Sequence, residues 1–265
     1  MIFLFTVVAP ARSGTMWYSR LLTTAHSFCF HELTTLLQPY PSNLILHDWF
    51  QEQVTNREFK EVQRRRLLQC YPTYFARHWE RANFGQHIVG NSDHFILEFL
   101  PALWLLWPDM RFIFSVRNGI NVVQSRFVHY PHIPKSILVR QQGKWQTDDF
   151  FAQCCHAWVE EIALMEKSKR WLRGQAPCIE TTLEKMTADL EEVKKIWNWI
   201  GIGKWDEYAD RNQRMLTTPV NARTNAQSIV GWEQIWAGWT RQQRDTFRAI
   251  CGEVQRRLGY HLPKV

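Results

Sequence analysis

Eight consecutive residues concentrate the chemistry of this chain: Pro10-Ala11-Arg12-Ser13-Gly14-Thr15-Met16-Trp17. A cation with a fork of donors (Arg12), two hydroxyls (Ser13, Thr15) and a glycine that admits close backbone approach make a set suited to holding an anion. The flanks show how the set is positioned. Phe3 to Val8 is short, apolar and partly β-branched, the pattern of a strand buried on both faces. From about Thr15, Trp17, Leu21 and Leu22 share one helical face. A strand feeding a helix through a tight loop aims backbone N–H groups and the positive helix end at an anion. The run lacks Gly-x4-Gly-Lys-Ser/Thr, so it is not a Walker A loop. Taken alone, it also fits an ordinary strand–helix turn capped by Ser13 or Thr15.

The loop resembles the 5′-phosphosulfate-binding loop of the sulfotransferases that use 3′-phosphoadenosine-5′-phosphosulfate (PAPS), Pro-Lys/Arg-Ser-Gly-Thr-x-Trp. Pro10, Arg12, Ser13, Gly14, Thr15 and Trp17 fit, with Ala11 inserted between the proline and the cation. A second stretch resembles the same family. Phe112-Ile113-Phe114-Ser115-Val116-Arg117 is followed, eight residues after the arginine, by Ser125. In sulfotransferases, residues so spaced bind the 3′-phosphate of the nucleotide. An arginine at a strand's carboxyl end and a hydroxyl two turns into the next helix can converge on one phosphate. Trp107-Pro108-Asp109-Met110-Arg111 resembles the family's lead-in to that strand. Fainter likenesses lie at Trp158, at Leu183 to Asp189, and at Val230-Gly231-Trp232 with Arg223. The resemblance implies that Arg12, Ser13, Gly14, Thr15, Met16, Trp17, Arg117, Ser125 and Arg223 contact PAPS or its product PAP. Trp17 matches the tryptophan that stacks on adenine, whereas Leu183 replaces the tyrosine that helps hold that base.

Sulfonate transfer needs a base for the acceptor's proton, donors for the charge that shifts onto the leaving phosphate, and in-line geometry. It requires no metal and no covalent enzyme intermediate. Arg12 and the loop N–H groups suit the second need. Two residues compete for the first. His94 begins His94-Phe-Ile-Leu-Glu-Phe-Leu-Pro101, which resembles the stretch around the catalytic histidine of the cytosolic enzymes, although their lysine two residues earlier is Ser92 here. Glu32 follows the second candidate strand, where carbohydrate and tyrosylprotein sulfotransferases place a glutamate base. Its strand end is expected beside the phosphate loop. Histidine has the better ordinary pKa, and Glu32 would need its own raised by burial. The two could act together, and His31 is a third choice.

A chain of 265 residues without repeats, low-complexity tracts or linkers suggests one domain over 1–265. The net charge of +7 suits an anionic ligand. The basic residues are dispersed, so there is no nucleic-acid footprint, and Arg64-Arg65-Arg66 reads as a solvated helix face. The six cysteines have neither zinc nor disulfide-framework spacing, which points to reduced thiols and a cytoplasmic setting. Cys154-Cys155-His156 are helix neighbours that point apart, so core and surface roles are expected rather than a metal site. No apolar run reaches a membrane span. The N-terminal apolar run with Ala9-x-Ala11 resembles a signal peptide, yet it lacks a basic start, and cleavage there would remove the first strand and the loop.

Further along, Ser27–Phe30, His87–Gly90, Arg111–Val116 and Cys178–Thr181 read as strands, and Ile120–Phe127, Phe150–Leu172, Leu190–Ile200 and Arg241–Leu258 as helices. Helices are also expected within Glu52–Trp79 and over Phe95–Trp107. Thr34–Phe50 and Val128–Trp145 read as irregular, the latter long enough for a lid or binding element, and Asp206–Gly231 reads as mostly loop. Alternating strands and helices imply an α/β fold, a central parallel sheet with helices on both faces and ligands beyond the carboxyl strand ends. The expectation is a PAPS-dependent sulfotransferase acting on a hydroxyl or amine of a small molecule. The rivals are a nucleotide or small-molecule kinase and a non-catalytic adenine-nucleotide-binding module.

Overall fold

Residues Ile2–Val8 (β1) form the middle strand of a five-stranded sheet in the computed structural model. The structure describes residues 2–32, 88–94, 107–130, 147–217 and 231–263, with Leu97, Leu100, Trp104 and Trp145. The other strands are β2 (Ser27–His31), β3 (Ile88–Asp93), β4 (Arg111–Val116) and β5 (Cys178–Thr182). Their order is β2-β3-β1-β4-β5, and every pairing is parallel. Parallel neighbours need crossover connections. Helix α1 (Thr15–Leu21) joins β1 to β2, and α2 (Gly119–His129) and α3 (Phe150–Leu172) lie between β4 and β5. After β5 come α4 (Leu183–Ala188), α5 (Leu190–Ile200), a 3₁₀ turn at Trp205–Glu207, α6 (Ala209–Thr217), α7 (Trp232–Gly238) and α8 (Arg241–Arg257).

Strand alternation sends side chains to both sheet faces, and each face has its own core. In β4, Phe112 and Phe114 join α2, α3 and α8 through Val122, Val123, Trp158, Ile162 and Phe247. Ile113, one residue out of phase, joins Phe5 and Val7 of β1 against Tyr18, Leu21, Ile196 and Trp197 on the other face. Such side chains contribute roughly 1.5–3 kcal/mol each when fully buried. Gly90 in β3 has a steric reason: a Cβ there would lie 2.2 Å from the ring of Phe5. The apolar strand pattern of β1 therefore depends on a gap in its neighbour.

Several elements differ from the sequence expectation. Strand β3 continues past Gly90 through Asn91, Ser92 and Asp93, which pair with Thr6, Val7 and Val8 and are fully buried. Their polarity hides the strand from a hydrophobic pattern, and the extension puts His94 directly at the strand's carboxyl end. Residues 209–217 are helical, not loop. Their own pattern is mostly polar, but tertiary contacts hold the helix: Arg211 donates to the carbonyl oxygens of Arg20 and Leu21 at the end of α1, and the Trp17 indole donates to the Met215 carbonyl at 3.2 Å. Helix α2 runs two residues beyond Phe127. The expectations for Thr34–Phe50 and Glu52–Trp79 lie outside the described residues, as do those for most of Phe95–Trp107 and for 131–144.

Candidate active site

The loop after β1 crosses the sheet's carboxyl edge, where connections diverge. From β1 the chain leaves toward β2, and from β4 it leaves toward β5. The crevice between two such neighbouring strands is the expected ligand position in an open parallel sheet. Arg12 and Gly14 both have left-handed backbone, with φ of 70° and 89°. Gly14 is the residue before α1, and no side chain caps the helix, so the capping role open to Ser13 or Thr15 is not taken. A Cβ on Gly14 would also meet Leu183 at 2.6 Å, so this leucine packs onto the loop.

Three residues of the distant β4–α2 stretch meet Arg12. Its Nε donates to Ser125 Oγ of α2 at 2.9 Å, and Arg117 donates to its carbonyl oxygen at 3.0 Å. Its guanidinium carbon lies 5.8 Å from the centre of the Tyr130 ring. Burial holds the Arg117 guanidinium below its ordinary pKa, and the neighbouring Arg12 charge adds to this while Glu184 opposes it. Two arginines so placed repel each other, and an anion bound between them would relieve that repulsion. Ser13 Oγ is fully buried and has no hydrogen-bond partner among the described residues. An unsatisfied buried hydroxyl costs roughly 1–3 kcal/mol, and a phosphate or sulfonate oxygen would supply the missing partner. The donor set and this orphaned hydroxyl fit an anionic nucleotide such as PAPS.

The three candidate bases form a second cluster at the ends of β2 and β3. Glu32, with φ of 56°, extends the β2–β3 pairing by donating its N–H to the Ser92 carbonyl at 3.0 Å. Its Oε1 lies 3.3 Å from His94 Nδ1 and 3.6 Å from His31 Nε2. The His31 nitrogen is also 3.1 Å from Thr15 Oγ1, which ties the cluster to the start of α1. Strand β3, carrying His94, lies between β2 and β1 in the sheet, yet the end of β2 still reaches the phosphate loop as expected, through His31 and Thr15. Burial pushes the Glu32 carboxyl up, but the His94 hydrogen bond and the charges of His94, His31 and Arg12 outweigh it. The group is held below the ordinary carboxylate range. The raised pKa that a glutamate base would need is absent. Burial holds the His31 imidazole below its ordinary value, against the opposing charges of Glu32 and Asp93.

The remaining site candidates are less central. Trp17 is 6% exposed, lies in the core and meets Tyr18 edge-on at 5.2 Å, leaving little ring for a base to stack on. Met16 is half-buried on α1, and Arg223 lies outside the described residues. Sequence reasoning missed the groups that brace the site. Glu161 of α3 accepts the Ala11 N–H at 2.9 Å and pairs with Arg126 of α2, which donates to the Ala11 carbonyl at 3.3 Å. Glu184 accepts the Asn118 N–H at 2.9 Å and the Tyr260 hydroxyl at 2.8 Å, and Gln255 accepts the Gly119 N–H at 3.0 Å. These side chains close the first turn of α2 behind Arg117. One signal was readable: Glu161 interrupts the apolar stripe of Cys154, Ala157, Trp158, Ile162 and Met165.

The profile of the sulfotransferase family matches residues 5–207. None of the curated proteins matches the chain significantly. Among solved structures, the sulfotransferase domain from the curacin biosynthetic pathway superposes with a TM-score of 0.54 at 13% identity, covering 99% of each chain. A sulfotransferase from Alicyclobacillus acidocaldarius gives 0.45 at 15% identity, covering 99% of this chain and 98% of its own. One from Mycobacterium tuberculosis H37Rv gives 0.41 at 14%, covering 94% and 77%. At these identities the first likeness supports the fold alone, and the other two are too distant to add to it. The profile match takes in the second half of β1, the other four strands, the loop and both clusters. On that extent, the chain belongs to the sulfotransferase family.

Proposed function

We propose that this sulfotransferase uses PAPS and sulfonates a hydroxyl or amine of a small-molecule acceptor, with 1–265 forming one catalytic domain. The observation that carries the reading is the meeting of Arg12, Ser125 and Arg117 at the β1–β4 crevice, from segments more than 100 positions apart. Arg12, Ser13, Gly14, Thr15 and Met16 would hold the 5′ side of the nucleotide, Arg117 and Ser125 its 3′-phosphate, with Arg223 a further candidate. PAPS supplies the activated sulfonate and a phosphate leaving group. Arg12 and the loop N–H groups face the negative charge that grows on the leaving side.

His94 takes the acceptor's proton. Its Nδ1 faces Glu32, so a proton on Nδ1 fixes the tautomer in which Nε2 accepts. Glu32, held low, stays ionised at neutral pH and stabilises the imidazolium that forms. Glu32 thus orients and compensates, and His94 carries the proton. The kinase rival loses its ground with the family assignment.

The test is to incubate the purified protein with PAPS and a mixture of small hydroxyl and amine compounds, then follow PAP release and look for products that gain one SO₃. Both signals are expected together, and both should fall in His94→Ala. PAP release no faster than without protein, across phenols, alcohols, sugars and amines, would contradict the reading.

A further inference from the structure

The loop is one residue longer between its proline and its cation than the pattern it resembles, and the extra residue, Ala11, is gripped at both backbone groups. Its N–H reaches Glu161 Oε2 at 2.9 Å, and its carbonyl accepts from Arg126 at 3.3 Å. Arg126 and Glu161 bond each other, with side chains 1% and 9% exposed. The neighbouring residue of α2, Ser125, holds the Arg12 side chain, and Tyr130, later on the same stretch, lies under its guanidinium. Helix α2 therefore addresses consecutive loop residues with consecutive side chains, Arg126 to Ala11 and Ser125 to Arg12.

We infer that the buried Arg126–Glu161 pair is a positioning device for Arg12. By fixing the peptide groups of Ala11, it holds the left-handed backbone of Arg12 and aims its guanidinium at the donor anion. The inference rests on the proposed PAPS reading. The physical case is that a buried ion pair contributes little net stability compared with apolar residues of similar volume. What this pair supplies is a fixed geometry for a strained residue: a non-glycine residue at φ of 70° persists only where its surroundings dictate it. Arg126 Nε has no hydrogen-bond partner among the described residues. The pair is thus incompletely satisfied, as suits a role in positioning rather than in stability.

The test is a mutant cycle read by PAP calorimetry and thermal melting. The double variant Arg126→Met with Glu161→Leu removes both charges and frees the Ala11 backbone. It is expected to fold with a lowered melting temperature, since the buried Ala11 N–H and carbonyl lose their partners, and to bind PAP roughly tenfold more weakly or worse, on the scale of one lost charge-assisted bond. In an Arg12→Ala background the same two changes should cost no further PAP affinity, because they act through Arg12. Unchanged PAP binding in the double variant would overturn the inference, as would an equal loss with and without Arg12. If the double variant does not fold, Glu161→Gln retains an acceptor for Ala11 but removes the charge that holds Arg126, and the same non-additivity is expected. Failure of the wild type to bind PAP would count against the PAPS reading itself, whereas wild-type binding with additive losses counts against the positioning role alone.

Discussion

At the scale of single residues, on the proposed reading the site divides into a phosphate side and a proton side. On the phosphate side, Arg117→Ala should weaken PAP binding by roughly one to two decades, the worth of a charge-assisted bond. It should leave nearly untouched an analogue lacking the 3′-phosphate; equal losses for both ligands in calorimetry would refute that assignment. On the proton side, His94→Ala should lower turnover by roughly two to four decades while PAP binding survives. Glu32→Gln should cost less, because Glu32 orients the imidazole and compensates its charge without taking the proton itself. A nearly active His94→Ala beside a dead Glu32→Gln would reverse the roles. The same cluster sets a pH dependence of stability. Both Glu32 and His31 have folded pKa values below their unfolded ones. Their contributions are fully present above the unfolded values, about 6.5 for histidine and about 4.3 for glutamate, and are lost as pH falls through the folded values. The melting temperature should therefore drop as pH is lowered from about 7 toward 4. His31→Gln should flatten the upper part of that drop and Glu32→Gln the lower part, and parallel curves for all three proteins would contradict this origin.

At the scale of elements, what could be read from sequence was what each segment specifies by itself. The β1–loop–α1 unit and the β4–Arg117–α2 unit are continuous stretches whose patterns change at the candidate residues, so the placement of those residues was legible. Helix α3 matches its expected bounds because its apolar stripe and Gly174 mark both (Phe150 and Leu172). The end of β3 was not legible, since Asn91, Ser92 and Asp93 are buried polar residues with no hydrophobic period. Helix α6 was missed because α1 and Trp17 hold it. The Ala11 clamp and the low pKa of Glu32 were invisible for a related reason: each depends on partners from other elements. Packing between strands gives the prediction at this scale. Gly90→Ala drives a methyl into the Phe5 ring and should cost roughly 1–3 kcal/mol of stability in chemical denaturation, the usual cost of overpacking. Adding Phe5→Leu should recover part of that loss, and an unperturbed Gly90→Ala would show that the sheet relaxes around it.

At the scale of the molecule, the strand order places the two halves of the site on one edge. The end of β3 carries His94, the end of β1 the phosphate loop and the end of β4 Arg117, on three adjacent strands. On the proposed assignment the acceptor's base and the donor's phosphates would face a common crevice, and the net charge of +7 favours an anionic ligand. Among the described residues no helix is long and apolar enough to cross a membrane. The most direct measurement is calorimetric titration of the purified protein with PAP and with ATP, both without magnesium. PAP should bind more tightly by roughly tenfold or more, since only PAP offers a 3′-phosphate to Arg117 and Ser125. ATP binding as tightly as PAP, or more tightly, would contradict the assignment of this crevice to a 3′-phosphorylated nucleotide.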